Sequence, residues 1–191
     1  MEDNTPLRIA ITPFDIFSQE PVFIKTILDE GWDYVHLRHP GATYIDMRNL
    51  IEAIPQKYHA RLRLHGHFQL TNEFNLGGLH LNSRCPVAPP NYTGSLSRTC
   101  HTLEEAHRHA PTMDFVTLSP VFDSISKEGY SSAFTPDDWQ SVPEGKTVAL
   151  GGITPDTASK LKDSPFIGYA VLGYLFAAKT QDELKERLKL F

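Results

Sequence analysis

The chain is poor in the features that mark secreted, membrane-spanning or nucleic-acid-binding proteins. It has only 2 cysteines in 191 residues, Cys85 and Cys100. That is too few for a disulfide framework, and free thiols are expected. No apolar run is long enough to cross a bilayer. The opening residues, Met1 to Pro6, are acidic and polar, which predicts no signal peptide. Basic residues are outnumbered, 18 Lys and Arg against 23 Asp and Glu, for a net charge of -5. A basic face for nucleic acid is therefore not expected. No repeat, low-complexity tract or linker interrupts the chain. Together these absences predict a cytoplasmic protein of one domain spanning residues 1–191.

What is present is a core-forming 40% of hydrophobic residues, arranged in short apolar runs that alternate with longer amphipathic ones. The short runs read as strands over Leu7–Pro13, Tyr34–Arg38, Arg61–His65, Gly78–Leu81, Ser95–His101, Phe115–Phe122, Lys146–Ile153 and Gly168–Gly173. Helical spacing appears over Pro21–Gly31 (Val22, Ile24, Ile27, Leu28) and over Tyr44–Tyr58 (Ile45, Met47, Leu50, Ile51, Ile54). Phe68–Leu76 and Thr180–Leu190 read as two more helices. Thr102 with Glu105 has the form of a capping box, and Thr135-Pro136 and Thr154-Pro155 each read as a cap followed by proline. Strict alternation of strand and helix implies parallel pairing with crossover helices. Eight strands favour a compact single (β/α)8 TIM barrel. An open doubly wound sheet would have five or six.

In such a barrel the active site lies at the carboxyl ends of the strands. The polar residues there are candidates for function. The run that ends strand six carries Ser124, Ser126 and Lys127, two hydroxyl donors and one ammonium that suit an anion. After strand seven, Gly151-Gly152 lets backbone N–H groups turn toward a phosphate, and Gly173 does the same after strand eight. Their plain alternative is tight packing at the barrel mouth. Strand two offers His36, Arg38 and His39, strand three His65 and His67, strand four His80 and Asn82, and strand five Thr99 and His101. A lone strand-end histidine is usually a packed, hydrogen-bonded side chain, and His59, His107 and His109 are read that way. His65 and His67 share a face if strand geometry holds. They are the candidate ligands of a soft divalent metal, with help from His36 or Cys85.

Six ordered motifs then resemble the family of thiamine-phosphate synthase and thiazole tautomerase. Asp33-Tyr-Val-His-Leu-Arg38 is similar to its strand-two run Gln-Leu-Arg-Glu-Lys, and Gly78-Leu-His-Leu81 to its Gly-Val-His-Leu. Thr99-Cys-His101 with the following Thr-Leu-Glu-Glu-Ala106 is similar to Ser-x-His-(Ser/Thr)-x-Glu-Glu-Ala. Ser119-Pro-Val-Phe-Asp-Ser-Ile-Ser-Lys127 resembles Gly-Pro-Ile-Phe-x-Thr-x-Thr-Lys. Val148-Ala-Leu-Gly-Gly-Ile153 and Gly168-Tyr-Ala-Val-Leu-Gly173 resemble the two glycine loops. The resemblance covers about Leu7 to Phe176. It implies a (β/α)8 transferase of thiamine biosynthesis that joins an aminopyrimidine diphosphate to a thiazole phosphate and releases pyrophosphate with the help of Mg²⁺. By the same resemblance Ser124, Ser126, Lys127 and the Gly151, Gly152 and Gly173 backbones hold phosphate, while Arg38 and Thr99 serve the diphosphate. Small phosphorylated substrates are then the partners, with room for a homodimer.

Departures from the family pattern fall at one end of the site. His65-Gly66-His67 stands where the synthase has Asn-Asp-Arg, and Cys85 where its second metal-binding Asp lies. His39-Pro40 replaces Glu-Lys. Both Mg²⁺ carboxylates are thus absent, and imidazole does not replace them for a hard cation. Pro120 occupies the tautomerase's catalytic histidine position. The alternatives are an isomerase of the tautomerase kind, with His36, His65, His67 or His101 moving protons near neutral pH, and a non-catalytic binder of thiazole or thiamine phosphate.

Overall fold

The computed structural model describes residues 5–123 and 134–191. The short apolar runs form eight parallel strands: β1 (Leu7–Ile11), β2 (Tyr34–Leu37), β3 (Leu62–Leu64), β4 (Gly78–Leu81), β5 (Leu96–Cys100), β6 (Phe115–Leu118), β7 (Thr147–Leu150) and β8 (Gly168–Val171). They pair in chain order, and β1 closes on β8 from Leu7↔Gly168 to Ala10↔Val171. The closed (β/α)8 barrel expected from the strand count is therefore the fold. Seven α-helices accompany it among the described residues: α1 (Glu20–Asp29), α2 (Tyr44–Ala53), α3 (Leu103–His109), α4 (Pro136–Trp139), α5 (Pro155–Ser159), α6 (Gly173–Phe176) and α7 (Gln181–Leu188).

Three expectations need correction. Alternation is not strict: residues 82–95, between β4 and β5, contain no helix. Pro86, Pro89, Pro90 and Gly94 crowd that connection and oppose one. The helix expected to reach Tyr58 stops at Ala53. Ile54 precedes Pro55 and takes an extended ψ of 127°, as steric conflict with the proline ring requires. The chain then continues as a 3-10 segment, Gln56–Arg61, and Phe68–Asn72 is likewise 3-10. Finally, Ile45 and Val22 are exposed. In α2 the stripe Met47, Leu50, Ile51 and the capping Ile54 follows the helical period, and Ile45 stands off it.

The helix starts are those that the threonines announce. Thr43, Thr135 and Thr154 each form a reciprocal capping box three residues on, with Asp46, Asp138 and Thr157. Thr102 and Thr180 accept from the N–H of Glu105 and Glu183. The Glu105 carboxylate reaches one residue further back and accepts from the His101 N–H at 2.7 Å.

Alternate strand residues face opposite sides. Val35, Leu37, Leu62, Leu64, Leu79, Val116 and Leu118 join the outer cluster with helix residues such as Phe23, Ile24, Ile27, Met47 and Ile51. Trp32 is wholly buried there, edge-on to Tyr169 and Phe191. Inside the barrel, Ile9, Ile11, Phe115, Val148 and Ala170 form a separate apolar cluster, contributed by β1, β6, β7 and β8. The rest of the interior, from β2 to β5, is polar. Replacing Ile27 by Ala should cost about 2–5 kcal/mol in urea denaturation, whereas Ile45→Ala should stay within about 0.5 kcal/mol of the parent.

Candidate functional site

The polar half of the barrel is built from inward-facing residues two apart on adjacent strands. At its lower level lies Arg63 of β3, 2% exposed. Its guanidinium lies close to the rings of Tyr34 and Phe115, 4.7 and 4.9 Å from their centroids. Nη2 donates to Ser95 Oγ at 2.6 Å, and Ser95 in turn hydrogen-bonds Asp114. This buried cation has aromatic faces and hydroxyls around it and reaches its carboxylate only through Ser95.

Above it, His36, His65 and His80 pack ring against ring. The His65 and His80 rings are stacked with centroids 4.3 Å apart, and His36 lies 4.9 Å from His80 and 5.1 Å from His65. His36 Nδ1 and His65 Nε2 are hydrogen-bonded at 2.9 Å. The neighbours of His80 give its ring a direction. Ser97 Oγ donates to the Leu79 carbonyl at 3.3 Å, so it accepts from His80 Nδ1 at 2.8 Å. Nε2 then accepts from Thr99 Oγ1 at 2.7 Å, and Thr117 donates to Thr99 at 3.4 Å. Asn82 ties the strand ends together: its Nδ2 donates to the carbonyls of His65 and His80, at 2.8 and 3.2 Å.

Burial holds all three imidazoles neutral. His36 lies well below the usual histidine range, through burial first and then through His80, His65 and Arg63. His65 is also well below it, through burial and then His80, Arg38 and His39. His80 is pushed down to about 3 by burial, with Arg63 and Arg98 adding to it. Charging any of them would put a cation in an apolar barrel already holding one.

A second buried group lies beside this one. His39 Nε2 meets Glu20 Oε1 at 2.8 Å, with both side chains fully buried, and Thr12 Oγ1 at 3.0 Å. Thr12 Oγ1 also accepts from the Arg38 N–H at 2.8 Å. The group joins the end of β1, the start of α1 and the end of β2. It thereby fixes the backbone of Arg38, whose half-buried guanidinium is lowered by burial and by nearby Arg84.

The remaining sequence candidates are divided. His67 does not join His65: β3 ends at Leu64, and His67 turns into the left-handed region at φ 50°. Its Nε2 meets the Ala42 carbonyl at 2.8 Å. His101 is exposed and bonds the Ser119 carbonyl at 2.9 Å. Cys85 Sγ lies 3.8 Å from where a side chain on Gly66 would begin. Gly151 and Gly152 hold φ of 95° and 65°. A Cβ on Gly152 would stand 2.3 Å from the Asp123 carbonyl oxygen, so this loop is pressed against the β6 loop and accepts only glycine. Gly173 opens α6. Ser124, Ser126 and Lys127 lie outside the described residues.

Arg63, Ser97, Thr117, Thr12 and Glu20, the partner of His39, are the members that strand-end reasoning passes over. Arg63 and Ser97 sit two residues before His65 and Thr99, so inward alternation is the signal that finds them. Because the three histidines titrate near 6.5 when unfolded and far lower when folded, the unfolded state binds more protons below that pH. Stability should be fully present above about pH 6.5 and fall as pH drops toward 4.5, before the carboxylates titrate, by up to roughly 1 kcal/mol per pH unit for each histidine. Urea denaturation at pH 7.5 and 5 measures it; equal midpoints would contradict the buried neutral cluster.

Known proteins share this fold. A family model described as thiamine monophosphate synthase matches residues 9–175. The thiamine-phosphate synthase of Methanobrevibacter smithii is 24% identical over 187 residues, spanning 86% of this chain and 84% of its own. The crystal structure of thiamine phosphate pyrophosphorylase from Bacteroides thetaiotaomicron superposes with a TM-score of 0.86 at 33% identity, covering 95% of this chain and 93% of that one. The corresponding Pyrococcus furiosus structure, at 17% identity and a TM-score of 0.74, covers 97% and 96% and shares the fold. With matches running from β1 to α6 over the same closed barrel, the chain belongs to the thiamine monophosphate synthase family.

Proposed function

We propose that the chain joins an aminopyrimidine diphosphate to a thiazole phosphate, with pyrophosphate as the leaving group. The observation that supports it most is the β7 loop. Gly151 and Gly152 keep backbone conformations that only glycine adopts readily, beside the β6 loop and within the span matched by the family. A backbone cradle of this kind, at the carboxyl ends of barrel strands seven and eight, suits a phosphate. Ser124, Ser126 and Lys127 follow β6 in sequence and would supply hydroxyls and a charge to the same anion.

The other end of the site does not fit Mg²⁺. Where the family carries carboxylates this chain has Gly66 and Cys85, and the groups around them are imidazoles. The Asn82 side-chain oxygen already accepts from the N–H groups of Arg84 and Cys85. Mg²⁺ demands oxygen ligands in octahedral geometry, which these residues do not offer. In this reading Arg38, backed by Arg84, meets the diphosphate, and Thr99 lies beside it. As the bond to carbon breaks, the electron pair leaves with pyrophosphate, and a fixed guanidinium stabilises that growing charge.

The isomerase alternative gains less support. Of its candidates His36, His65, His67 and His101, burial lowers the first two well below the usual histidine range, as it does His80. Proton transfer by these three near neutral pH is not what their burial favours.

Purified protein given both substrates should form thiamine phosphate. Arg38→Ala should lower kcat/KM about 100-fold, and Gly152→Ala should raise KM for the thiazole phosphate. Calorimetric binding of thiazole phosphate without product would instead make the chain a binder. Neither binding nor product would overturn the reading.

A further inference from the structure

We propose that His36, His65 and His80 form a binding site for a borderline divalent transition metal of the zinc class. The proposal goes beyond the transferase reading and does not depend on it. Each of the three offers a ring nitrogen, and the three nitrogens lie within 4.8 Å of one another. A zinc ion bound at about 2.0–2.1 Å needs its ligating nitrogens about 3.3 Å apart, so small ring rotations bring the set into range. One pair already stands at 2.9 Å.

Further features fit. The rings are neutral, and a neutral imidazole presents the lone pair that a metal takes. His36 Nε2 is buried and has no hydrogen-bond partner among the described residues. The His80 Nδ1–H is held by Ser97, which leaves Nε2 as the lone-pair side, where Thr99 now donates. Such a bond to the far nitrogen is how ligating histidines are oriented. Asn82 fixes the backbones of His65 and His80 from behind. His65 is half-buried, so the set is reachable from the carboxyl end of β3.

Three nitrogens without a carboxylate select the metal. Imidazole suits zinc, nickel, cobalt and copper and does not suit Mg²⁺ or Ca²⁺. Arg63 opposes a further positive charge; its shorter hydrogen bond runs away from the rings, to Ser95, while Nη1 meets Ser97, the partner of His80 Nδ1, at 3.5 Å. Three protein ligands leave a further coordination position for water or a ligand, as in zinc sites that stay open.

The test uses full-length protein free of any histidine tag. Titration with Zn²⁺ should reach one equivalent per chain, and excess Mg²⁺ should not displace it. Co²⁺ should give the intense visible absorption of a four- or five-coordinate site. His65→Gln should abolish both signals, and His67→Ala should leave both intact. His65→Cys should restore binding and add a thiolate-to-cobalt charge-transfer band, which a merely structural role for His65 would not produce. Circular dichroism confirms that each variant is folded. No saturable binding by the parent protein, or binding unchanged in His65→Gln, would overturn the proposal.

Discussion

Closure of the barrel is the constraint on which everything else rests. Once β1 pairs with β8, every strand has both faces covered, and no inward side chain can reach water except at the two ends. An apolar residue gains from that position, while a polar one must find a partner inside. The interior divides accordingly. Strands β1, β7 and β8, with Phe115 of β6, supply aliphatic and aromatic bulk. Strands β2 to β5 supply a guanidinium, imidazoles and hydroxyls that hydrogen-bond one another, leaving His36 Nε2 and Arg63 Nε without a partner among the described residues.

The buried Arg63 shapes the chemistry of the level above it. A guanidinium cannot lose its proton, so it remains charged even when buried. It is accommodated by two aromatic faces, two serines and a hydroxyl-mediated path to Asp114. Histidines can avoid charge by staying neutral, and those next to Arg63 do so. His36, His65 and His80 thus bring together imidazole lone pairs at the carboxyl ends of β2 to β4. At the same time the glycine loop after β7 keeps the backbone form suited to a phosphate.

Much of the fold could be read along the chain, since it depends on local signals. Apolar runs too short for helices, threonine caps and prolines at helix starts are sequence-local, and they fall where the elements begin. The helix-free stretch between β4 and β5 and the early end of α2 were also written locally, in their prolines. The candidate site was legible in part. Arg38, His36, His65, Thr99 and the two glycines stand at the strand ends that the pattern assigns. His65 and His67 were separated by a backbone event, the left-handed turn at His67, that no alternation rule contains.

The sequence by itself determined the barrel and its strand order, because these follow from residue type and spacing. Only the tertiary structure decided which histidines meet. His36, His65 and His80 come from three separate strands, and their contact depends on inter-strand register and on the inward sense of each strand. Their neutrality was decided in the same way. It arises from burial and, for His36 and His80, from Arg63 nearby, and neither property belongs to any one stretch of chain.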